Sequence, residues 1–248
     1  MKKKIGILGG MGPKATVYLF DRIVQFTDAG SDSSHIPIII FNNTQIPDRT
    51  EAIINNGLNP LPLLIQGSRF LERSGVDFIV MPCVTAHYFY PEIVKNIEIP
   101  FLHLIEETAR HLESRMPGLQ KAGLLATTGT IETRIFQDHL VKKGKDIVIP
   151  GRENQLKIME AIYGEKGIKA GFTKQPKKII KEVVSHLLKT GCRAVIAGCT
   201  EIPLALEQED ISVPFIDPLT IIARRAVREA GYPLLTPAHH NYSISGAF

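Results

Sequence analysis

Two cysteines stand where a thiol can do chemistry. Cys83 lies in "MPCVTAH" (residues 81–87) and Cys199 in "AGCTE" (residues 197–201). Each follows a short apolar run and precedes a threonine and a helix-like stretch. A cysteine becomes useful as a thiolate, and the unpaired N–H groups of a helix N-terminus favour that charge. Place a carbon acid between two such sulfurs. One thiolate removes a proton from one face, the opposite thiol delivers a proton to the other, and the stereocentre inverts. Carbon-to-sulfur distances of about 3–3.5 Å then put the sulfurs about 7 Å apart. An amino-acid α-proton is a very weak acid, so charge developing on the carboxylate oxygens must meet oriented donors. Backbone N–H groups of the turns at 9–12 and 127–130 are candidates.

The background is ordinary. The chain has 248 residues, 44% hydrophobic and 22% charged, with a formal net charge of +4. That suits one large or two small globular domains. No segment reaches the roughly 18–20 apolar residues of a membrane helix. The basic start Met1-Lys2-Lys3-Lys4 runs into Ile5-Gly6-Ile7-Leu8-Gly9-Gly10, too short an apolar stretch for a signal peptide, so it reads as a first strand. The expectation is a cytoplasmic protein with no membrane partner. Lys174, Lys177, Lys178 and Lys181 fit a solvated helix face; no aromatic residues interleave with them as a nucleic-acid groove would need. Three cysteines without a CxxC pair argue against a disulfide framework or a zinc ribbon.

Short apolar runs alternate with amphipathic stretches. Strands are expected near 4–8, 36–41, 76–81, 100–103, 121–126, 146–149, 193–197 and 213–216. Helices are expected near 14–28, 60–73, 85–96, 105–114, 131–143, 152–163, 174–189, 200–207 and 218–230. This alternation argues for parallel α/β structure. The chain also repeats itself. Residues 4–12 match 121–129, "SGVDFIVMPCVT" (74–85) matches "TGCRAVIAGCTE" (190–201), and "IPFLHLIEETAR" (99–110) matches "VPFIDPLTIIAR" (213–224). The three blocks keep their order at nearly one spacing, as an internal duplication would. Eight strand–helix units also fit a TIM barrel; the Gly/Thr turns after the first strand of each half favour two open sheets. Ligands bind at the carboxyl ends of such strands, so the matched Cys83 and Cys199 are expected to face one cleft. Cys192 matches Val76 and reads as core.

Five motifs, "GILGGMGP" (6–13), "PDR" (47–49), "PCVTAH" (82–87), "IKAG" (168–171) and "GCTE" (198–201), together resemble the aspartate racemase branch of the aspartate/glutamate racemase family. The resemblance implies two similar open parallel-sheet α/β domains related by a pseudo-twofold axis, with the active site in the cleft. It implies residues 1–115 plus 216–248 as the first domain and 116–215 as the second. It implies racemisation of aspartate or a related acidic amino acid without pyridoxal phosphate, metal or other cofactor. Cys83 and Cys199 take the acid and base roles by motif. Arg49 matches the residue that holds a substrate carboxylate, and its forked donors suit that task. Lys169 matches a second cation, and Thr85, Thr127 and Thr200 match hydroxyls lining the site. Gly10, Met11 and Val84 fall in the same motifs. Family members are commonly homodimers.

One position departs from the pattern. The family usually reads Pro-Cys-Asn-Thr-Ala-His, whereas residue 84 here is Val. Losing one oriented amide costs on the order of 2.7–4 kcal/mol of transition-state stabilisation, which points to a shifted substrate or weakened activity. Other residues carry two readings. His87 packs locally or assists catalysis; Asp48 and Glu201 orient Arg49 or a substrate amine, or cap helices; Thr85 and Thr200 cap helices or donate to a ligand. "LGGMGP" lacks the GxGxxG spacing of a nucleotide loop. Two other functions compete: an isomerase or decarboxylase of a small dicarboxylate, and a non-catalytic amino-acid binder, which would tolerate Cys→Ser at 83 and 199.

Overall fold

A computed structural model describes residues 2–235 of the chain. In chain order the elements are β1 (Ile5–Gly9), α1 (Pro13–Phe26), β2 (Ile38–Asn42), α2 (Arg49–Ile54), α3 (Leu61–Arg73) and β3 (Phe78–Val80). A 3₁₀ turn, Thr85–Phe89, leads to α4 (Tyr90–Val94) and α5 (Leu104–Arg115). Then come β4 (Lys121–Leu125), α6 (Thr128–Glu132), α7 (Ile135–Val141), β5 (Asp146–Val148), α8 (Arg152–Tyr163) and α9 (Lys174–Lys189). The chain continues through β6 (Val195–Ala197), 3₁₀ turns at Ile202–Leu204 and Gln208–Asp210, β7 (Phe215–Ile216) and α10 (Pro218–Glu229).

The strands form two separate parallel sheets, ordered β2-β1-β3 and β5-β4-β6-β7. A TIM barrel is therefore excluded. Phe101 bridges Ile79 beside β3, in the place that β7 takes beside β6, so the two halves share one strand order. Gly6 of β1 and Gly123 of β4, a matched pair in the repeat, have the same job. A Cβ on Gly6 would lie 2.9 Å from Val76, and one on Gly123 would lie 3.0 Å from Leu187 of α9.

Side-chain alternation along the strands divides the core. Ile5, Ile7, Phe78 and Val80 from the first sheet share one buried cluster with Ala122, Leu124 and Ile196 from the second. The opposite faces are covered locally. Leu8 and Ile79 pack with Leu64 and Leu71 of α3, and Leu125, Val195 and Ala197 pack with Ile180, Val183 and Leu187 of α9. The apolar face of α10 (Leu219, Ile222, Ala223, Ala226, Val227) is fully buried and packs on α1 and α5. Each such leucine, isoleucine or valine contributes about 1.5–3 kcal/mol by leaving water.

Several expected elements differ. The strand at 100–103 shrinks to the single bridge at Phe101, because Pro100 has no N–H to donate and His103 already caps α5 by accepting from Glu106 N–H. The helix at 85–96 splits where Pro91 enters at the first turn of α4. The helix at 131–143 breaks at Arg134, which takes a left-handed φ of 54° between α6 and α7. The helix at 200–207 is only a 3₁₀ turn containing Pro203. Helix α2 was not expected, although Asp48 caps it by accepting from Thr50 and Glu51 N–H. Lys177 and Lys181 of α9 face Asp210 at 2.8 and 3.8 Å. Among the described residues no helix is long and apolar enough to cross a membrane, and no cluster of His, Cys, Asp and Glu is arranged to hold a metal. The expected C-terminal part of the first domain, 236–248, lies outside the described residues.

Candidate active site

Both cysteines emerge from equivalent places, three residues after β3 and two after β6. They line one cavity. Met11, Arg49, Val84, Thr85, Thr127, Lys169 and Thr200 line it with them, as do Tyr163 and Glu201. Gly10 does not reach it; it lines the outer cleft, where its φ of 101° and the Asn43 backbone packed against it leave no room for a side chain. The cavity is narrow, with a volume of about 10 Å³, no more than one water needs. The outer cleft is about 360 Å³, the size of a small-ligand site. Met11, Arg49, Tyr163, Lys169 and Glu201 line both spaces, so they form the wall between them.

Arg49 enters at the first turn of α2 and is 6% exposed. Its Nη2 donates to Met11 O at 2.9 Å and its Nη1 to Pro47 O at 3.0 Å. Its Nε is buried with no protein partner. Burial works against the guanidinium charge, but the neighbouring Cys83, Asp48 and Tyr163 outweigh it and hold the Arg49 pKa above its usual value. Lys169 lies in the loop between α8 and α9, 3.3 Å from Glu201 Oε1 and over the Tyr163 ring at 5.1 Å. Burial would lower its pKa, yet Glu201 and Cys199 leave it raised.

The hydroxyls are committed to one another. Thr85 Oγ1 lies 2.9 Å from both Thr127 Oγ1 and Thr130 Oγ1, which are 3.2 Å apart, so three threonines close a hydrogen-bonded ring between the halves. Thr127 also caps α6; Thr85 and Thr200, expected as caps, do not cap. Thr200 Oγ1 sits 3.2 Å from both Pro82 O and Glu201 Oε2, and its single proton serves one acceptor at a time. The turn N–H groups expected as free donors are partly taken. Gly10 N–H donates to Thr16, Gly12 N–H to Glu201 and Thr128 N–H to the Met159 sulfur.

The two sulfurs sit in different surroundings. Cys199 donates to Glu201 Oε2 at 3.0 Å. Burial pushes its thiol well up, Glu201 adds to that, and Lys169 opposes it. A lowered pKa from a helix N-terminus is therefore not what surrounds Cys199: only a 3₁₀ turn follows it. Beside Cys83, Val84 is 2% exposed and packs into the core shared by both sheets. His87 is a structural wedge. Its Nδ1–H donates to Cys83 O at 2.8 Å, and its Nε2 accepts from Leu104 N–H at 3.2 Å. Cys192 is buried in the core outside the cavity. Tyr163 escaped the sequence reading; its only signal was an aromatic residue ending a helix just before "IKAG".

Comparisons with known proteins bear on the fold and the family. The Asp/Glu/Hydantoin racemase family model matches residues 8–226. An aspartate racemase from Picrophilus torridus superposes with a TM-score of 0.85 at 32% identity, covering 94% of this chain and 96% of that one. A broad specificity amino-acid racemase, RacX of Bacillus subtilis (strain 168), is 27% identical over 226 residues, which is 90% of this chain and 96% of that protein. A glutamate racemase from Francisella tularensis, in complex with D-glutamate, shares the fold at a TM-score of 0.69 and 20% identity, covering 95% of this chain and 84% of that one. The chain belongs to the Asp/Glu/Hydantoin racemase family and is an isomerase of the amino-acid racemase type.

Proposed function

We propose that the protein interconverts the L and D forms of an acidic amino acid, aspartate first, without a cofactor. Cys83 and Cys199 serve as the paired acid and base. One observation carries this reading: both thiols line a single narrow cavity with Arg49, whose buried Nε has no protein partner. A buried N–H of that kind is costly unless a ligand satisfies it, and a substrate carboxylate does so. Lys169 supplies a second cation for an acidic substrate by exchanging Glu201 for the ligand. The threonine ring and the backbone turns give the remaining polar contacts. Val84 contributes only shape and its backbone.

The reaction is a proton exchange on two faces. One thiolate takes the α-proton, and the electron pair spreads from the α-carbon onto the carboxylate beside Arg49. The other thiol returns a proton to the opposite face. This needs both sulfurs within about 3–3.5 Å of the α-carbon. The cavity must open to admit the substrate and close around it, since water would weaken every charge interaction within it. The aspartate racemase relative supports aspartate as the first substrate, and the broad-specificity relative supports testing beyond it. Homodimer assembly, residence in the cytoplasm and the division into residues 1–115 with 216–248 and residues 116–215 belong to this proposal through the family resemblance.

Incubation with L-aspartate, then L-glutamate, in heavy water under reducing conditions tests it. The expected result is α-deuterium incorporation together with the D isomer. Both fall by on the order of 10²–10⁴-fold in Cys83→Ser and in Cys199→Ser. Unchanged ligand affinity in both variants, with no exchange in the wild type, would instead identify a binding protein.

A further inference from the structure

Glu201 is 4% exposed, and four donors converge on its two oxygens. Oε2 accepts from Cys199 S–H at 3.0 Å and lies 3.2 Å from the Thr200 hydroxyl. Oε1 accepts from Gly12 N–H at 3.1 Å and from Lys169 Nζ at 3.3 Å. Gly12 lies in the turn after β1, so this carboxylate joins the first half of the chain to the sulfur of the second. Among the described residues no other carboxylate lines the cavity; Asp48 lines the outer cleft. Cys83 has no counterpart, for its neighbours in the wall are cationic Arg49 and apolar Val84.

We propose that Glu201 is a positioning residue for Cys199: its Oε2 orients the S–H bond, and its negative charge sits against that sulfur with no carboxylate playing the same part beside Cys83. This rests on the racemase reading given above. The charged and titratable groups facing Cys199 are Glu201, Lys169, Tyr163, Arg49 and Cys83, contributed from both halves of the chain. Lys169 tempers Glu201 across 3.3 Å. A substrate carboxylate that draws Lys169 away leaves Glu201 less neutralised, and Cys199 becomes a stronger base when a weak carbon acid is present. In the direction in which Cys199 is the base, its thiolate forms S–H as the substrate C–H breaks. The electron pair stays on the α-carbon and its carboxylate. Cys83 S–H then gives its proton to the opposite face and is left as thiolate. The new Cys199 S–H again meets Glu201.

The test is the thiolate absorbance of Cys199 in the ultraviolet, titrated in a Cys83→Ser/Cys192→Ser chain that leaves Cys199 as the only thiol. Changing Glu201→Gln is expected to lower the titration midpoint by about one pH unit or more. Glu201→Asp, which keeps the charge, is expected to fall between the two. In the chain with all cysteines intact, Glu201→Gln lowers kcat more than it raises KM, and the pH profile moves in the same direction as the midpoint. An unmoved midpoint in Glu201→Gln overturns the inference. Should that variant fail to fold, an unmoved midpoint in Glu201→Ala, which also removes the charge, does the same. The two readings fail separately. Racemisation by the wild type with an unmoved midpoint removes the role of Glu201 alone. A moved midpoint without exchange on any amino acid removes the racemase reading and leaves the coupling of Glu201 to Cys199.

Discussion

The Tyr163 hydroxyl donates to Asp48 Oδ2 at 3.1 Å, and this one hydrogen bond ties the end of α8 to the cap of α2. It crosses the cleft just outside the cysteine cavity. Asp48 uses its other oxygen to cap α2, the helix that carries Arg49. The latch and Arg49 therefore share one support. Burial and the Asp48 charge hold the Tyr163 pKa well above the usual phenol value, so the hydroxyl keeps its proton at any working pH.

Tyr163→Phe removes the latch and keeps the ring that faces Lys169. A hydrogen bond of this kind is worth about 0.5–1.5 kcal/mol net, so kcat/KM is expected to fall about 2–10-fold through weaker closure. Thermal stability stays close to wild type. Steady-state racemisation kinetics with a melting curve check both halves of this statement.

Arg49→Lys keeps the charge but loses the fork. A lysine cannot satisfy Met11 O and Pro47 O while also offering a donor at the position of Nε. One charge-assisted hydrogen bond contributes about 1.5–3 kcal/mol, so kcat/KM for the amino acid should drop about 10–100-fold. Circular dichroism should show the fold intact. A fully active Arg49→Lys enzyme would contradict the assigned role.

Val84→Asn sets catalysis against packing. The new amide offers the oriented donor that the family motif carries, and racemisation of aspartate is expected to speed up. Val84 also packs into the core shared by the two sheets, so an amide without a partner there costs about 1–3 kcal/mol of stability. Kinetics on aspartate and chemical denaturation of the same variant measure the two effects. Unchanged kinetics would remove Val84 as the reason for any weak activity on aspartate.

Acid should destabilise the fold through the histidines behind Cys83. Burial, with His103 nearby, lowers the His87 pKa to about 3; burial, with His139 nearby, lowers that of His103 to about 4. Both lie below the unfolded value of about 6.5, so the unfolded chain binds more protons in this window. The stability that neutral imidazole provides is complete above about pH 6.5 and declines as pH falls toward the folded values. His87 alone accounts for about 2 kcal/mol lost between about pH 7 and about pH 5. Urea midpoints across that range should fall in the wild type and change less steeply in His87→Gln.

Much of this site was legible before any fold was known. The internal repeat marked Cys83 and Cys199 as equivalents, and the two sheets do present them to one cavity. Arg49, Lys169 and the three threonines of the motifs line the same space. Gly10 of the same motif lines the outer cleft instead, because a motif shows which residues travel together and not which space each of them faces. Tyr163 and Thr130 went unseen, since each matters through a partner in the other half of the chain. The short helices around the site were misjudged for a related reason. Apolar periodicity extends through Pro91, Arg134 and Pro203, where the backbone breaks it.

By itself the sequence determined two α/β halves with parallel strands, because apolar periodicity and turn residues act over a few neighbours and the repeat doubles their signal. It also determined which residue types were on hand for proton transfer. Tertiary structure decided the electrostatics of each sulfur. Glu201 is two residues from Cys199 in the chain, yet its charge matters because Lys169 and Gly12 N–H meet the same carboxylate where it is buried. Burial and charge around a thiol are sums over everything nearby in space, and sequence distance carries little information about that sum.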